Sequence, residues 1–214
     1  MKVRLVLVTL ALCFALNSPA FAQLIIFDDG PTDGFTNALF IDGPNSGPFS
    51  QNISDGFVAP QSGGVGGLDF GIWVPTGLTP TTVTWWLGTS AFGSDISSGV
   101  SNNLISTFRN DSGFGYDVYD VHIDGLSGDL TAGKIYWLSL GNVNDSGGTQ
   151  TDAWDVNDGP ATCNFAVGGQ NFGDCGTGGE AFTLYAVDPE PGTLVMFGGG
   201  ILTAAGVLRR KVRL

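Results

Sequence analysis

Basic residues are scarce in this chain. Only Arg109 and Lys134, of its eight lysines and arginines, lie between residues 23 and 188, and nineteen of the twenty acidic residues lie there too. This region therefore carries a formal charge of −17. Because so negative a surface repels nucleic-acid phosphates and anionic lipid, the composition excludes nucleic-acid binding.

Histidine is almost absent as well, since His122 is the only one. A Ser/His/Asp or Cys/His mechanism would have to use it, but it lies between Asp120 and Asp124 in a strand-like pattern and no nucleophile-elbow sequence occurs. A transition-metal site would have a single imidazole ligand. We interpret His122 as a surface residue with a raised pKa.

Glutamate is equally rare between residues 23 and 188, where Glu180 is the only one. Glycoside hydrolysis needs two carboxyl groups at a suitable separation. The aspartates here lie mostly among Gly and Asn, where such residues build turns. We therefore predict that the chain is not an enzyme, with a glycoside hydrolase as the least favoured alternative.

No run of a dozen residues between residues 23 and 188 combines a helical period with freedom from Gly and Pro. Short apolar runs separated by turn residues predict an all-β fold. The expected architecture for residues 23–187 is an antiparallel, jelly-roll-like β-sandwich of about eight to nine strands, because no fixed repeat supports a parallel β-helix. The predicted strands are residues 24–27, 55–59, 68–74, 81–87, 104–109, 116–123, 135–140, 153–156 and 181–187.

Alternation within the predicted strand at residues 81–87 indicates which side chains are buried. Val83, Trp85 and Leu87 would share an apolar face, and Trp86 would point the other way. Aromatic rings exposed on a sandwich can stack on sugars, although tryptophans in strands more often belong to the core. The pair named as candidates for carbohydrate stacking is Trp86 and Trp154.

Cysteine occurs three times. Cys13 falls in an N-terminal segment predicted to be removed, which leaves Cys163 and Cys175. Two cysteines in a Gly/Asn-rich region of an exported protein are best explained as a disulfide that closes a small loop.

Oxygen-bearing side chains cluster after residue 141. Hard cations such as calcium take six to eight oxygen ligands from loops of this kind, but the position that would hold the glutamate of an EF-hand is Ala153. Ordinary Asx-turns explain the same residues. We predict no resident cofactor, with calcium as the one candidate, at Asn142, Asn144, Asp145, Asp152, Asp155 and Asp158.

The N-terminus has the three parts of a signal peptide. Lys2 and Arg4 precede the apolar residues 5–16, and the small residues Ala20 and Ala22 end a pattern that signal peptidase accepts. An uncleaved membrane anchor is the alternative, but the apolar run is short for a span of about 20 residues. Residues 1–22 are therefore predicted to be removed.

The C-terminus also has three ordered parts. A Pro-x-Pro break is followed by an uncharged run, residues 193–208, and then by a basic cluster. Basic clusters beside an apolar span stay on the cytoplasmic side of a membrane, so residues 23–187 would lie across it. The sixteen apolar residues would span about 24 Å as a helix, which is short for a hydrocarbon core of about 30 Å.

This tail resembles the PEP-CTERM sorting signal, which exosortases process in Gram-negative bacteria that make exopolysaccharide. The matching parts are the motif Pro189, Glu190, Pro191 and Gly192, the apolar run 193–208, and the basic residues Arg209, Arg210 and Lys211. Arg213 also belongs to the basic cluster. An ordinary, unprocessed C-terminal anchor is the alternative. The stretches 70–90, 136–142 and 153–160 are similar to parts of other exported proteins with this signal, whose bodies are uncharacterised.

The resemblance implies a protein that is exported through the inner membrane, held there by residues 188–214 and processed by an exosortase. It would then act at the cell surface or in the extracellular matrix, in a structural or interaction role. The alternative is a carbohydrate-binding module on the same signal, with an extracellular polysaccharide as its partner.

Overall fold

The structure is a computed structural model. It describes residues 23–35, 37–41, 51–148, 151–157, 159, 162–167, 170–174 and 178–187. The predicted signal peptide and the predicted sorting tail with its transmembrane helix lie outside the described residues. No helix within the described ranges is long and apolar enough to cross a membrane.

The described residues form an all-β structure. Its strands are β1 (Ile25–Asp28), β2 (Asn37–Phe40), β3 (Gln51–Val58), β4 (Gly63–Pro75), β5 (Pro80–Gly88), β6 (Ser97–Ser101), β7 (Ile105–Asp111), β8 (Tyr116–Asp124), β9 (Asp129–Leu130), β10 (Ile135–Asp145), β11 (Ala153–Val156), β12 (Thr162–Val167), β13 (Gln170–Asp174) and β14 (Phe182–Ala186).

The strands form two antiparallel sheets. In the larger, eight-stranded sheet, β4 is central: β8 pairs along one edge, while β14 and then β11 pair along the other. β1, β2 and β7 extend this sheet outward from β14, β11 and β8, and β9 pairs with the start of β4. The smaller sheet has the order β13-β12-β3-β10-β5-β6.

The core lies between the two sheets. One cluster of buried side chains includes Leu68, Phe70 and Ile72 from the larger sheet and Trp85 and Leu138 from the smaller one. Two antiparallel sheets that share a core are consistent with the predicted β-sandwich. The jelly-roll topology stays a prediction.

The all-β prediction is confirmed for the described residues, and each of the nine predicted strands overlaps an observed one. Alternation at residues 82–87 is also confirmed, because Val83, Trp85 and Leu87 are buried and Trp86 is only partly buried. The strands that were not predicted are β2, β6, β9, β12 and β13.

Except for β12, in which Cys163, Phe165 and Val167 alternate with other residues, the unpredicted strands lack the apolar alternation on which the prediction depends. β6, for example, has the sequence Ser-Ser-Gly-Val-Ser and lies at the edge of the smaller sheet beside β5. A polar strand of this kind is formed by pairing with its neighbour rather than by its own propensity.

Candidate functional site

The outer face of the larger sheet, which points away from the smaller sheet, carries the candidate site. Alternate residues of β4, such as Phe70 and Ile72, point into the core, so Trp73 between successive core residues points outward. Trp73 pairs with Ala153 on β11 and Val118 on β8, and Ala153 in turn pairs with Phe40 on β2. Four strands thus place one row of apolar side chains on this face.

An open groove of about 260 Å³ lies along this row and is called the aromatic groove here. Its lining consists of Asn37, Ala38, Phe40, Trp73, Phe114, Tyr116 and Ala153. Trp73 is 5 % exposed and forms the base, whereas Phe40 and Phe114 are 45 % and 71 % exposed. The groove therefore combines a fixed floor with accessible rings.

Asp155 holds the floor in place. Trp73 donates its indole N–H to Asp155 Oδ1 at 2.5 Å, and the backbone N–H groups of Asp33 and Gly34 donate to the same carboxylate at 2.8 and 3.2 Å. Burial raises the pKa of Asp155 to about 6, although these hydrogen bonds oppose the rise. The carboxylate thus joins the segment before β2 to the outer face.

Close packing at Gly71 completes this arrangement. A Cβ at Gly71 would lie 2.5 Å from Thr32 Cγ2 and 2.8 Å from Asp155 Cβ. Only glycine lets the segment that contains Thr32 approach the sheet so closely.

His122 lies further along the same face. Its Nδ1 contacts Asp69 Oδ1 and its Nε2 lies 3.1 Å from Asp124 Oδ1, while the Tyr185 hydroxyl donates to Asp69 Oδ2 at 2.6 Å. Partial burial lowers the pKa of His122, but the hydrogen bonds and charges of the two carboxylates outweigh it and raise the pKa overall. This agrees with the raised pKa expected from the sequence.

The two tryptophans predicted to stack on sugars differ in exposure. Trp154 is fully buried, with its indole N–H donated to the Ala181 carbonyl at 3.0 Å and its ring against Phe182. Its proposed role as an exposed platform is therefore wrong, because pairing of β11 with β4 turns this residue into the core. Trp86 is partly buried on the outward side of β5, and its role stays a prediction.

Two of the predicted calcium ligands on β10, Asn144 and Asp145, are engaged in hydrogen bonds with other protein groups. Asp145 Oδ1 accepts the N–H of Gly147 at 2.7 Å, as in an Asx-turn, and Asn144 donates its side-chain amide to Thr82 Oγ1 at 2.8 Å. Asn142 adopts a φ of 50° where the pairing of β10 with β5 shifts register. All three lie on β10.

The remaining predicted ligands come from elsewhere. Asp152 is buried just before β11, Asp155 supports Trp73, and Asp158 lies outside the described residues. Within the part of the chain that the structure describes, no three Asp, Glu, His or Cys side chains are grouped as a metal site requires. Calcium binding stays a prediction, which melting with excess calcium and with a chelator tests.

Cys163 is buried in β12, at 3 % exposure. Its predicted partner Cys175 lies outside the described residues. The antiparallel pairing of β12 with β13 places Asn164 opposite Asp174, and these residues adjoin the two cysteines in sequence. The disulfide between Cys163 and Cys175 stays a prediction.

Asp55 and Glu180 form a second carboxyl cluster, inside the sandwich rather than on its face. Both are fully buried, and burial raises both pKa values, that of Asp55 to about 6. The sequence marks Glu180 as the only glutamate between residues 23 and 188, but it gives no sign of the contact with Asp55, 125 positions away.

The groove rings Phe40 and Phe114 were not singled out from the sequence. A signal for Phe114 was present, because a large apolar residue between Gly113 and Gly115 is typical of an exposed turn. No comparable signal marked Phe40, which joins the groove only through the pairing of β2 with β11.

No protein-family model and no curated protein matches this chain.

Proposed function

We propose that this chain is an exported, non-enzymatic protein of a Gram-negative bacterium that makes exopolysaccharide. An exosortase processes its C-terminal tail, and the body acts at the cell surface or in the extracellular matrix in a structural or interaction role. The body is a jelly-roll-like β-sandwich. The observation that carries the proposal is the order of the Pro-Glu-Pro-Gly motif at residues 189–192, the apolar run and the basic cluster at residues 209–213.

Charge polarity supports the direction of export. Arginines at 209, 210 and 213 resist transfer across a bilayer, whereas the acidic region from residue 23 to 188 follows a signal peptide. Signal peptidase would remove residues 1–22, and the tail would hold the chain in the inner membrane until processing. The predicted disulfide fits an oxidising compartment.

The positions of His122, Asp55 and Glu180 in the structure favour a non-catalytic role. Both ring nitrogens of His122 face carboxylates, so neither is directed at a serine or cysteine nucleophile. Asp55 and the only glutamate of the body, Glu180, are sealed in the core, where no glycosidic bond can reach them. These positions favour a structural or binding role over the hydrolysis of glycosidic bonds.

Mass spectrometry of the mature C-terminus tests the processing step. The full chain is expressed in a host that has an exosortase and in a strain that lacks it. We expect the first chain to end near Pro189 and the second to retain the basic cluster, and a Pro189→Ala/Pro191→Ala variant to remain uncleaved in both. Retention of residues 209–213 in the first strain contradicts the proposal.

Membrane orientation is tested separately. A reporter that is active only in the periplasm, fused after Leu214, should be inactive, while the same reporter fused after Val187 should be active. Activity of the first fusion would overturn the proposed topology.

A carbohydrate-binding module on the same sorting signal is the second candidate function. The observation that favours it is the aromatic groove, with Phe40 and Phe114 exposed above a buried Trp73. Retention of the full chain on immobilised polysaccharides tests it.

A further inference from the structure

We propose that the aromatic groove binds uncharged hexose units of a neutral polysaccharide, with the sugar packed between Phe114 and Phe40 above Trp73. This inference rests on the second candidate function and names its site and ligand class. The site differs from the Trp86 and Trp154 pair predicted from the sequence.

Exposure of the groove rings is the first argument. Phe114 is 71 % exposed and Phe40 45 % exposed, on the same open groove. Large apolar side chains that line one concavity are a mark of a binding surface, whereas single scattered ones are not. At about 260 Å³ the groove has room for a single sugar ring rather than a bulky ligand.

Hydrogen bonds fix the base of the groove and the backbone that carries Phe114, which is the second argument. Phe114 lies at the tip of the β7–β8 hairpin, and its N–H donates to Ser112 Oγ at 3.2 Å. The Ser112 hydroxyl in turn donates to the Tyr116 carbonyl at 2.9 Å. Trp73 is fixed by Asp155 and packs 6.3 Å from the Tyr116 ring. A site ordered before binding loses little entropy when a ligand arrives.

The chemistry of the lining is the third argument. A hexose presents C–H groups on its ring faces and hydroxyl groups around its edge. The aromatic faces attract the C–H groups, since the face of a π-system carries negative charge. The amide of Asn37 and the phenol of Tyr116 belong to the same lining and can hydrogen bond to hydroxyl groups.

Charge selects a neutral polymer over an anionic one. None of the seven lining residues is charged, and the body as a whole carries −17. Asp111 and Asp117 flank the hairpin tip, while Arg109 on the same hairpin is paired with Asp120 at 3.0 Å. Uronic-acid or sulfated polymers would be repelled.

Affinity electrophoresis and glycan-array binding of the full chain test the inference. The neutral probes are β-1,3-glucan, β-1,4-glucan, dextran and galactomannan, and the anionic probes are alginate and polygalacturonate. We expect retention by at least one neutral probe and by neither anionic probe. The variants Phe114→Ala and Phe40→Ala should each weaken that retention by about tenfold, the effect of losing one stacked ring.

Phe35→Ala is the matched control. Phe35 is 63 % exposed but does not line the groove, so this variant should bind as the unmodified chain does. Equal melting temperatures of all variants would show that weaker binding reflects a lost contact and not a loss of folding. Tyr116→Phe is a further groove variant that keeps the ring. We expect it to bind more weakly only because the hydroxyl group is lost.

Each remaining outcome has a defined meaning. Retention by no polysaccharide contradicts both the inference and the second candidate function. Retention that is unchanged in Phe114→Ala and Phe40→Ala, or that requires an anionic probe, contradicts the inference alone. Concentration-dependent dimerisation that Phe114→Ala abolishes, without glycan retention, would assign the groove to a second copy of this chain and overturn it.

Discussion

Glu180 donates its backbone N–H to Asp55 Oδ2 at 2.6 Å, and the carboxyl groups of the two residues face each other inside the sandwich. Asp55 belongs to β3 of the smaller sheet, and Glu180 immediately precedes the segment that enters β14 of the larger one. Because two buried carboxylates repel each other, this pair is stabilised when at least one of the two carries a proton. A buried acid pair therefore connects the two sheets.

Stability is predicted to fall as pH rises through the pKa values of this pair. Burial raises the pKa of Asp55 to about 6 and that of Glu180 well above its usual range, with the charges of Asp55 and Asp29 adding to the rise for Glu180. The folded state thus keeps protons that the unfolded state releases above about pH 4. The stabilising contribution is complete below that pH and is lost as pH rises through the folded pKa values.

Glu180→Gln tests this prediction, because an amide of similar size cannot ionise and so adds no charge beside Asp55. We expect the variant to resemble the unmodified chain near pH 5 and to be more stable by about 1 kcal/mol or more near pH 8, one pKa unit being worth about 1.4 kcal/mol. Urea unfolding at both pH values measures the difference. Asp129→Asn, at an exposed aspartate, serves as control. A Glu180→Gln variant that is less stable than the unmodified chain near pH 8 would contradict the prediction.

His122 is predicted to titrate above the usual value of about 6.5 for histidine, because Asp69 and Asp124 bind its two ring nitrogens. Its contribution to stability is present below the unfolded pKa and is lost as pH rises through the folded one. NMR titration can follow this single imidazole directly. We expect Asp69→Asn to lower the pKa and Asp129→Asn to leave it unchanged; an unaltered pKa in the first variant would show that the contact does not persist in solution.

Gly71→Ala is predicted to destabilise the chain by about 1–3 kcal/mol, the usual cost of overpacking. Its added methyl group would meet Thr32 and Asp155, at 2.5 and 2.8 Å. Gly63→Ala is the control on the same strand, since the nearest atom there is Ile26 Cδ1 at 3.9 Å. Denaturant unfolding of both variants measures the costs, and equal stability would mean that the segment holding Thr32 does not pack on β4.

The Cys163–Cys175 disulfide is predicted to be complete in the exported protein. Alkylation of the denatured mature chain should modify neither cysteine before reduction and both after it, which mass spectrometry detects. Replacement of both cysteines by serine should cost about 2–4 kcal/mol, the typical effect of closing a short loop. Labelling of both cysteines before reduction would refute the pairing.

The fold was predictable where one residue pattern decided it. Val83, Trp85 and Leu87 alternate with polar or less buried residues, and any sheet that buries one face of this strand must bury these three. β6 was not predictable, because a Ser/Gly sequence pairs only where an exposed edge of β5 is already in place. The site was still harder to predict, since Phe40 and Phe114 are 74 positions apart in the sequence and line one groove only because strands between them are paired.

The amino-acid sequence by itself determined the strand-forming pattern of the body, its negative charge and the ordered parts of its two ends, because these depend on residue type and on neighbours along the chain. Tertiary structure alone decided that Trp154 is buried while Phe114 is exposed, and that Asp55 meets Glu180. A side chain's burial depends on which face of which sheet it occupies. That face follows from strand pairing between distant segments, which no local pattern encodes.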